Sequence, residues 1–302
     1  MLEYINSRLD DTVTDVFISA RSGLWLHRDG HVERDRLVPQ ESEVRELASR
    51  LIDSAGRHID AAQPCADAAL PGGVRVHAVL APVSVNGTEI SLRFPRTLAL
   101  SLDDFVGSGV LTPAQRSFLS QAVKHKKTFL VTGATGAGKT TLLAALMREV
   151  PDHERIVSVE DVAELAIVHP RVSSLETRQA NVEGIGELGV RELLRQALRM
   201  RPDRLVVGEC RGADVVDMLV AFTTGHPGGG STLHALGVDQ VPTRLVALAG
   251  LSGMPAVSSA SLAVAAIDLI VHVEQLKGNR RISLGRFTLD NQGRLEIYPV
   301  AA

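Results

Sequence analysis

The chain has 302 residues, 45% hydrophobic and 22% charged, with a formal net charge of −3. That length allows two modest domains, each with its own core, in an ordinary soluble-protein composition. The charge excludes the basic footprint of a nucleic-acid binder, and the two cysteines, Cys65 and Cys210, lack zinc-site or redox-motif spacing, which points to a reducing cytoplasm.

The opening MLEYINSRLDD has no basic start followed by an apolar core, so no signal peptide is expected. No apolar run reaches the roughly 18 residues of a membrane span. The longest candidate, 260–271, is interrupted by Asp268. Any service to a membrane is expected from its cytosolic side.

In chain order, residues 16–19 and 24–27 read as short strands around Arg21-Ser22-Gly23, and Asp29-Gly30 marks another turn. Val44, Leu47, Ala48 and Leu51 recur at helical spacing and predict a helix over 41–54. Residues 74–82 and 88–94 alternate around Asn86-Gly87, a strong hairpin signal. A small α+β domain over 1–97 is therefore expected. Clear periodicity is lost between 95 and 109, and 98–111 reads as an interdomain linker. Thr112-Pro113-Ala114-Gln115 combines a cap, a first-turn proline and a capping-box partner, which opens a second domain over 112–302.

From there, strands at 128–132, 156–159, 205–207 and 231–234 alternate with helices from 138, at 190–200 and at 213–223. That rhythm predicts an α/β fold with a mainly parallel sheet. Val190, Leu193, Leu194, Ala197 and Leu198 form a core stripe, and 256–270 reads as a buried helix followed by a strand. Turns at Lys277-Gly278-Asn279 and Asn291-Gln292-Gly293 predict a closing β meander.

Gly133-Ala134-Thr135-Gly136-Ala137-Gly138-Lys139-Thr140 satisfies the phosphate-loop pattern GxxxxGK[ST], with an apolar strand before it and an amphipathic segment after it. The glycines let successive N–H groups turn inward onto phosphate oxygens, and the following helix adds its positive end. Lys139 is expected on the β- and γ-phosphates of ATP, and the Thr140 hydroxyl on Mg²⁺. Phosphoryl transfer also needs acids for metal and water. The strand at 156–159 ends in Glu160-Asp161, and that at 205–207 leads through Gly208 to Glu209. In a parallel sheet both ends face the ligand crevice. Gly208 is expected to let the backbone pass close to the nucleotide. Glu209 is the first choice for organising water or metal, Glu160 is its rival as general base, and Asp161 completes the candidate Mg²⁺ set.

These motifs, ATGAGKTTLL, VEDVAEL, LETRQANVEGIGELGVRELLRQALRMRPDRLVVGECRGAD and TGHPGGGSTLHA, occur in one order. The chain thereby resembles the type II/type IV secretion ATPase superfamily over about 13–273, most densely over 129–235, and within it the Tad/CpaF branch of Flp-like pili and conjugation-like secretion. The resemblance implies a RecA-like P-loop ATPase domain behind a small α+β domain. It also implies a homohexameric cytoplasmic motor, peripheral at the inner face of the cell membrane, docked to a polytopic inner-membrane platform protein, with no membrane span and no direct nucleic-acid contact. It assigns Gly133 to Thr141 to Walker A, Glu160, Asp161 and Glu164 to an aspartate box, and Val207-Gly208-Glu209 to Walker B. His226 and His234 fall in its histidine box. Arg178 and Arg211 match arginines near the nucleotide or the subunit interface, and Arg93 and Arg96 match arginines that reach the phosphates across the interdomain cleft.

Two positions depart from the family pattern: Pro227 replaces an aspartate and Leu236 an asparagine. A proline removes a donor and stiffens the loop. A His226–His234 metal site is not expected, since no third ligand is nearby, and Cys210 reads as a small buried residue. Two other functions stay open. A RecA-like DNA translocase or helicase shares the phosphate loop but calls for a basic groove and stacking aromatics, whereas only 3% of this chain is aromatic. A nucleotide-switched assembly scaffold that turns over slowly fits the stiffened Pro227 loop.

Overall fold

The computed structural model of the chain describes residues 1–10, 12–28, 30–94, 99–178, 186–276 and 279–301. They form two compact units, the first with its elements in 1–94 and the second with its elements in 99–178 and 187–301.

The first unit runs α1 (Leu2–Asn6), β1 (Val13–Ser19), β2 (Gly23–Arg28), β3 (His31–Arg34), α2 (Glu41–Ser54), β4 (Cys65–Leu70), β5 (Val74–Val79) and β6 (Glu89–Arg93). Its antiparallel sheet has the order β3-β2-β1-β6-β5-β4. The predicted face of α2, Val44, Leu47, Ala48 and Leu51, is buried with Val16, Ile18, Leu24 and Ile90 of the sheet. The two segments around Asn86-Gly87 do pair as β5 and β6, but Val79 aligns with Glu89, so residues 80–88 form a longer loop than a two-residue turn. That loop is tied to α2: Thr88 donates its N–H (2.8 Å) and its hydroxyl (2.6 Å) to the Glu41 carboxylate.

The second unit continues with α3 (Leu102–Gly107), α4 (Pro113–Lys124), β7 (Phe129–Gly133), α5 (Lys139–Arg148), β8 (Ile156–Glu160), β9 (Val172–Glu176), α6 (Val190–Arg199), β10 (Arg204–Glu209), α7 (Asp214–Thr223), β11 (Gly230–His234), α8 (Val241–Gly250), α9 (Ala256–Ala266), β12 (Leu269–Leu276), β13 (Asn279–Leu289) and β14 (Leu295–Pro299). The sheet order is β14-β13-β12-β7-β11-β10-β8-β9. Strands β12 to β9 in that order are parallel, and β13 and β14 close the sheet antiparallel. Helices α6 to α9 bury one apolar face, with Leu193, Leu219, Leu245 and Ala263; α3, α4 and α5 bury the other, with Phe105, Leu119 and Leu142. This is the expected mainly parallel α/β domain behind a small α+β domain, with the closing meander in place.

The stretch expected as a linker over 98–111 differs. Ser101 accepts the Asp104 N–H in a capping box and starts α3, whose Leu102 and Phe105 are buried with Leu111 in the second unit's core. Short-range periodicity fails there because the helix is only one and a half turns long; burial, not periodicity, holds it. The expected turns at Asp29-Gly30 and Lys277-Gly278-Asn279 lie partly outside the described residues. Among the described residues, no helix is long and apolar enough to cross a membrane.

Candidate active site

Strand β7 is buried along its whole length and delivers the chain to the phosphate loop at a fixed point between β12 and β11. The loop ends at Gly138, whose φ of +98° is open to glycine and strained for other residues. Helix α5 then begins with no side-chain cap, which leaves its first-turn N–H groups for an anion. Within the loop, Ala134 O accepts both the Ala137 N–H (3.2 Å) and Lys139 Nζ (3.0 Å). Thr135 and Gly136 are exposed at the tip, while Thr140 and Thr141 stand half-buried in the first turn of α5.

Lys139 is buried, and that burial pushes its ammonium below the usual lysine value; the charges of Glu209 and Glu164 oppose the shift and Arg211 adds to it. The phosphate-loop lysine thus lies within the field of both the β10 end and the segment after β8. The parallel register explains the convergence: Val159 aligns with Val207, so Glu160 and Glu209 leave neighbouring strands at the same edge.

The two acids are held differently. Glu160 is 4% exposed, and Oε1 accepts the N–H groups of Glu164 (3.0 Å) and Leu165 (2.9 Å). Burial raises its pKa, against those two bonds and with the charges of Glu164 and Glu176. Glu209 is half-buried, and its Oε2 accepts Arg211 Nε at 2.7 Å and Nη2 at 2.6 Å. Asp161 is exposed, and its carbonyl accepts the Thr177 hydroxyl at 2.8 Å. Gly208 makes room for Glu160 itself: a β-carbon there would stand 2.8 Å from Glu160 Cγ.

His234 ends β11 opposite Gly133, and its Nδ1 lies 3.3 Å from Thr135 Oγ1, so this histidine does sit beside the phosphate loop. His226 does not. It precedes β11, in the turn where Gly228 donates to Thr128 Oγ1 and its carbonyl accepts from Arg204. Thr128 immediately precedes β7 and Arg204 begins β10, so His226 lies at the amino-terminal edge of the sheet, a strand length from the site. Both histidines share one motif in sequence, but the strand between them carries them to opposite edges. Arg178 follows β9 at the carboxyl edge, where its backbone exchanges two hydrogen bonds with Leu188. Arg93 is exposed and ends β6 in the first unit. Arg96 lies outside the described residues.

Among the described residues, no three His, Cys, Asp or Glu side chains are grouped to hold a metal by themselves. Thr140, Glu160, Asp161 and Glu209 are all oxygen donors, and such a set fits Mg²⁺, which uses few protein ligands and completes its shell with phosphate oxygens and water. Three residues near the site escaped the sequence reading. Asp214 opens α7, and burial raises its pKa, with Asp161 adding to the shift. His272 is fully buried on β12, with Nδ1 2.8 Å from Thr132 Oγ1 just before the loop; burial pushes its pKa down. Arg280, on β13, donates to Gly136 O at 3.2 Å. Only cross-strand register reveals the last two. Cys210 is buried, and burial pushes its thiol up to about 12, as suits a core residue.

Comparison with known proteins gives a consistent picture. A family model described as type II/IV secretion system protein matches residues 2–293. A putative conjugal transfer protein of Mycobacterium tuberculosis is 47% identical over 298 residues, covering 96% of this chain and 85% of that protein. The conjugal transfer protein TrbB of Rhizobium radiobacter is 33% identical over 286 residues, covering 91% and 83%. Among solved structures, the VirB11 ATPase of the Brucella suis type IV secretion system, in complex with sulphate, shares 26% identity at a TM-score of 0.50, covering 94% and 93%. The pilus retraction motor PilT with bound ADP shares the fold at a TM-score of 0.69 and 21% identity, covering 100% of this chain and 84% of that one.

Proposed function

This chain belongs to the type II/IV secretion system protein family, and from that premise we propose that it is an ATPase whose strokes drive a secretion or conjugal-transfer apparatus, or a pilus of the Tad/CpaF type. One observation carries the reading: Lys139 is buried at the uncapped start of α5, within the field of Glu209 and Glu164. A lysine so placed gains most when an anion supplies its partner.

In this reading, the N–H groups of 133–141 and Lys139 bind the β- and γ-phosphates of ATP, with phosphate oxygens taking over from Ala134 O. Glu209, released from Arg211, orients the attacking water, with Glu160 as the alternative base. Arg211 and Arg178 then stand to neutralise charge developing on the phosphates, and such arginines are worth about 10³–10⁵ in rate. His234 senses the phosphate through Thr135. Mg²⁺ would be held by Thr140 with Glu160, Asp161 or Glu209, and would neutralise phosphate charge. Arg93 and Arg96 would complete the site when the first unit closes over the nucleotide. A homohexamer at the cytoplasmic face of the inner membrane, acting on a polytopic platform protein, would turn those closures into work.

The test is steady-state ATP hydrolysis by the purified chain with Mg²⁺, followed as protein concentration rises through assembly. Turnover per chain is expected to rise as hexamers form. A hexamer that hydrolyses no ATP above the Lys139→Ala background would overturn the motor. A slow scaffold is the second reading, and the Arg211 clamp on Glu209 supports it. It predicts tight ATP binding with turnover that stays low at every concentration.

A further inference from the structure

We propose that Arg280 is a positioning residue of the phosphate loop, which makes the β12–β13 hairpin part of the nucleotide site; the inference rests on the nucleotide-binding reading above. The hairpin flanks β7 on the side opposite β11 and His234. Its contact with the loop begins at the root. A β-carbon on Gly133 would come within 2.6 Å of Val273 O, so the β12 backbone lies directly against the first loop residue. One residue earlier, Thr132 meets His272 of the same strand.

At the tip, Arg280 Nη2 donates to Gly136 O at 3.2 Å. The peptide joining Gly136 to Ala137 is thereby held at both poles, because its N–H donates to Ala134 O at 3.2 Å. This peptide plane matters for chemistry. A phosphate nest works only while N–H groups face the anion and carbonyl oxygens face away. A flip at this plane would aim a carbonyl dipole at a phosphate. The guanidinium takes that oxygen on the hairpin side and opposes the flip. It also adds positive charge beside the loop tip.

The hairpin directs Arg280 to this task. Arg280 aligns with Gln275 across the ladder, and the next residue, Arg281, donates through Nε (3.0 Å) and Nη2 (2.9 Å) to Glu274. Adjacent strand residues point to opposite faces. Arg281 thus takes the acid on its own side, while Arg280 is directed to the loop. Arg280 is exposed, so the fold's stability does not require it.

The test titrates Mg²⁺–ADP by calorimetry into the full chain, wild type, Arg280→Ala, Arg280→Lys and Lys139→Ala, with hydrogen exchange of the loop amides measured before nucleotide is added. Arg280→Ala should weaken ADP binding by about three- to tenfold, the worth of one hydrogen bond. It should speed exchange at the Ala137 amide and leave the thermal midpoint unmoved. Arg280→Lys, which keeps a charge and a donor, should recover affinity to within about twofold. If Arg280→Ala binds ADP as wild type does while Lys139→Ala fails to, the role of Arg280 falls and the nucleotide site stands. Unchanged exchange at Ala137 overturns the positioning role. A wild-type chain that binds no ADP overturns both readings.

Discussion

Glu160 occupies the space that a side chain at position 208 would need. A β-carbon built on Gly208 meets Glu160 Cγ at 2.8 Å, Oε1 at 3.2 Å and Cβ at 3.4 Å. Both residues are buried, near the carboxyl ends of neighbouring parallel strands. Gly208 therefore sets where the β8 carboxylate points, and Glu160 in turn organises the following segment through Glu164 and Leu165.

Gly208→Ala is accordingly expected to displace the Glu160 side chain and break one or both of those bonds. Overpacking of this kind costs about 1–3 kcal/mol, and ATP turnover should fall by about tenfold or more as Glu160 moves. Thermal unfolding and a steady-state assay on the same preparation would check both. Unchanged turnover alongside a lowered midpoint would confine Glu160 to a structural role.

The raised pKa of Glu160 carries a stability signature. Burial is its main cause, so the unfolded chain gives up this proton at a lower pH than the folded one. Stability from this group is full below the ordinary glutamate value of about 4.3 and falls as pH rises to the folded value, staying lower beyond it. Glu160→Gln keeps an oxygen to accept the Glu164 and Leu165 N–H groups and removes the buried charge. The variant should melt higher than wild type at pH 8, with the gap closing toward pH 4. A gap independent of pH would contradict a buried carboxylate here.

Lys139→Ala removes the cation that Ala134 O now accepts and that the phosphates would claim. A charge-assisted bond of about 1.5–3 kcal/mol corresponds to roughly 10- to 150-fold in affinity. ATP hydrolysis should drop to background in a coupled assay, and ADP binding should weaken by that factor. Turnover like that of wild type would remove the phosphate-loop assignment.

Local signals made some of this architecture readable and geometry hid the rest. The loop 133–140, the helix started by Thr112 and the strand–helix rhythm all depend on near neighbours, and they appear as expected. Strand β4, CADAAL, escaped because its alternating residues are alanines, whose strand preference is weak and whose burial comes from α2 across the fold. Strand β9 is short and lies at the sheet edge, with only half-buried and exposed side chains, so little apolar pattern marks it. Glu160 and Glu209 were readable because both end apolar strands, and strand ends in a parallel sheet share an edge. His226 misled for the complementary reason: motif proximity says nothing of which edge a residue reaches when a strand intervenes. Arg280 lies 144 residues beyond Gly136, and only the register of β12 on β7 brings them together.

Arg211 and Glu209 form a clamp two residues long at the end of β10. The arginine side chain is 58% exposed, so the pair adds at most about 1 kcal/mol to stability. Arg211→Ala should leave the melting temperature nearly unchanged. If Arg211 leaves Glu209 to stabilise the transferring phosphoryl group, the same variant should lose at least about tenfold in turnover, more than the freed Glu209 could restore. Faster turnover in Arg211→Ala would instead identify the clamp as an inhibitory contact.

The opposite edge of the sheet allows a stability test that leaves the site alone. Arg204 is fully buried; Nε donates to Glu154 Oε2 at 2.5 Å and Nη1 to Val123 O at 2.9 Å and Gly228 O at 3.0 Å, which ties α4, β10 and the turn before β11 together. Burial by itself would raise the Glu154 pKa, but the bonds and charges of Arg204 and Lys126 outweigh it and the net shift is downward. The folded carboxylate thus loses its charge at a lower pH than the unfolded one. Its stabilisation is full above the ordinary glutamate value of about 4.3 and is lost as pH falls through the lower folded value. Glu154→Ala strands the guanidinium in the interior and should cost about 3–5 kcal/mol at neutral pH. The double variant Glu154→Ala, Arg204→Met should recover part of that loss, since the stranded charge is gone, but only part, because the Val123 and Gly228 carbonyls then lose the donor that Glu154→Ala leaves them. Unfolding midpoints of the three proteins at pH 7 and pH 4 decide the matter: a double variant no more stable than Glu154→Ala would show that Arg204 counts for its backbone bonds and not for its charge.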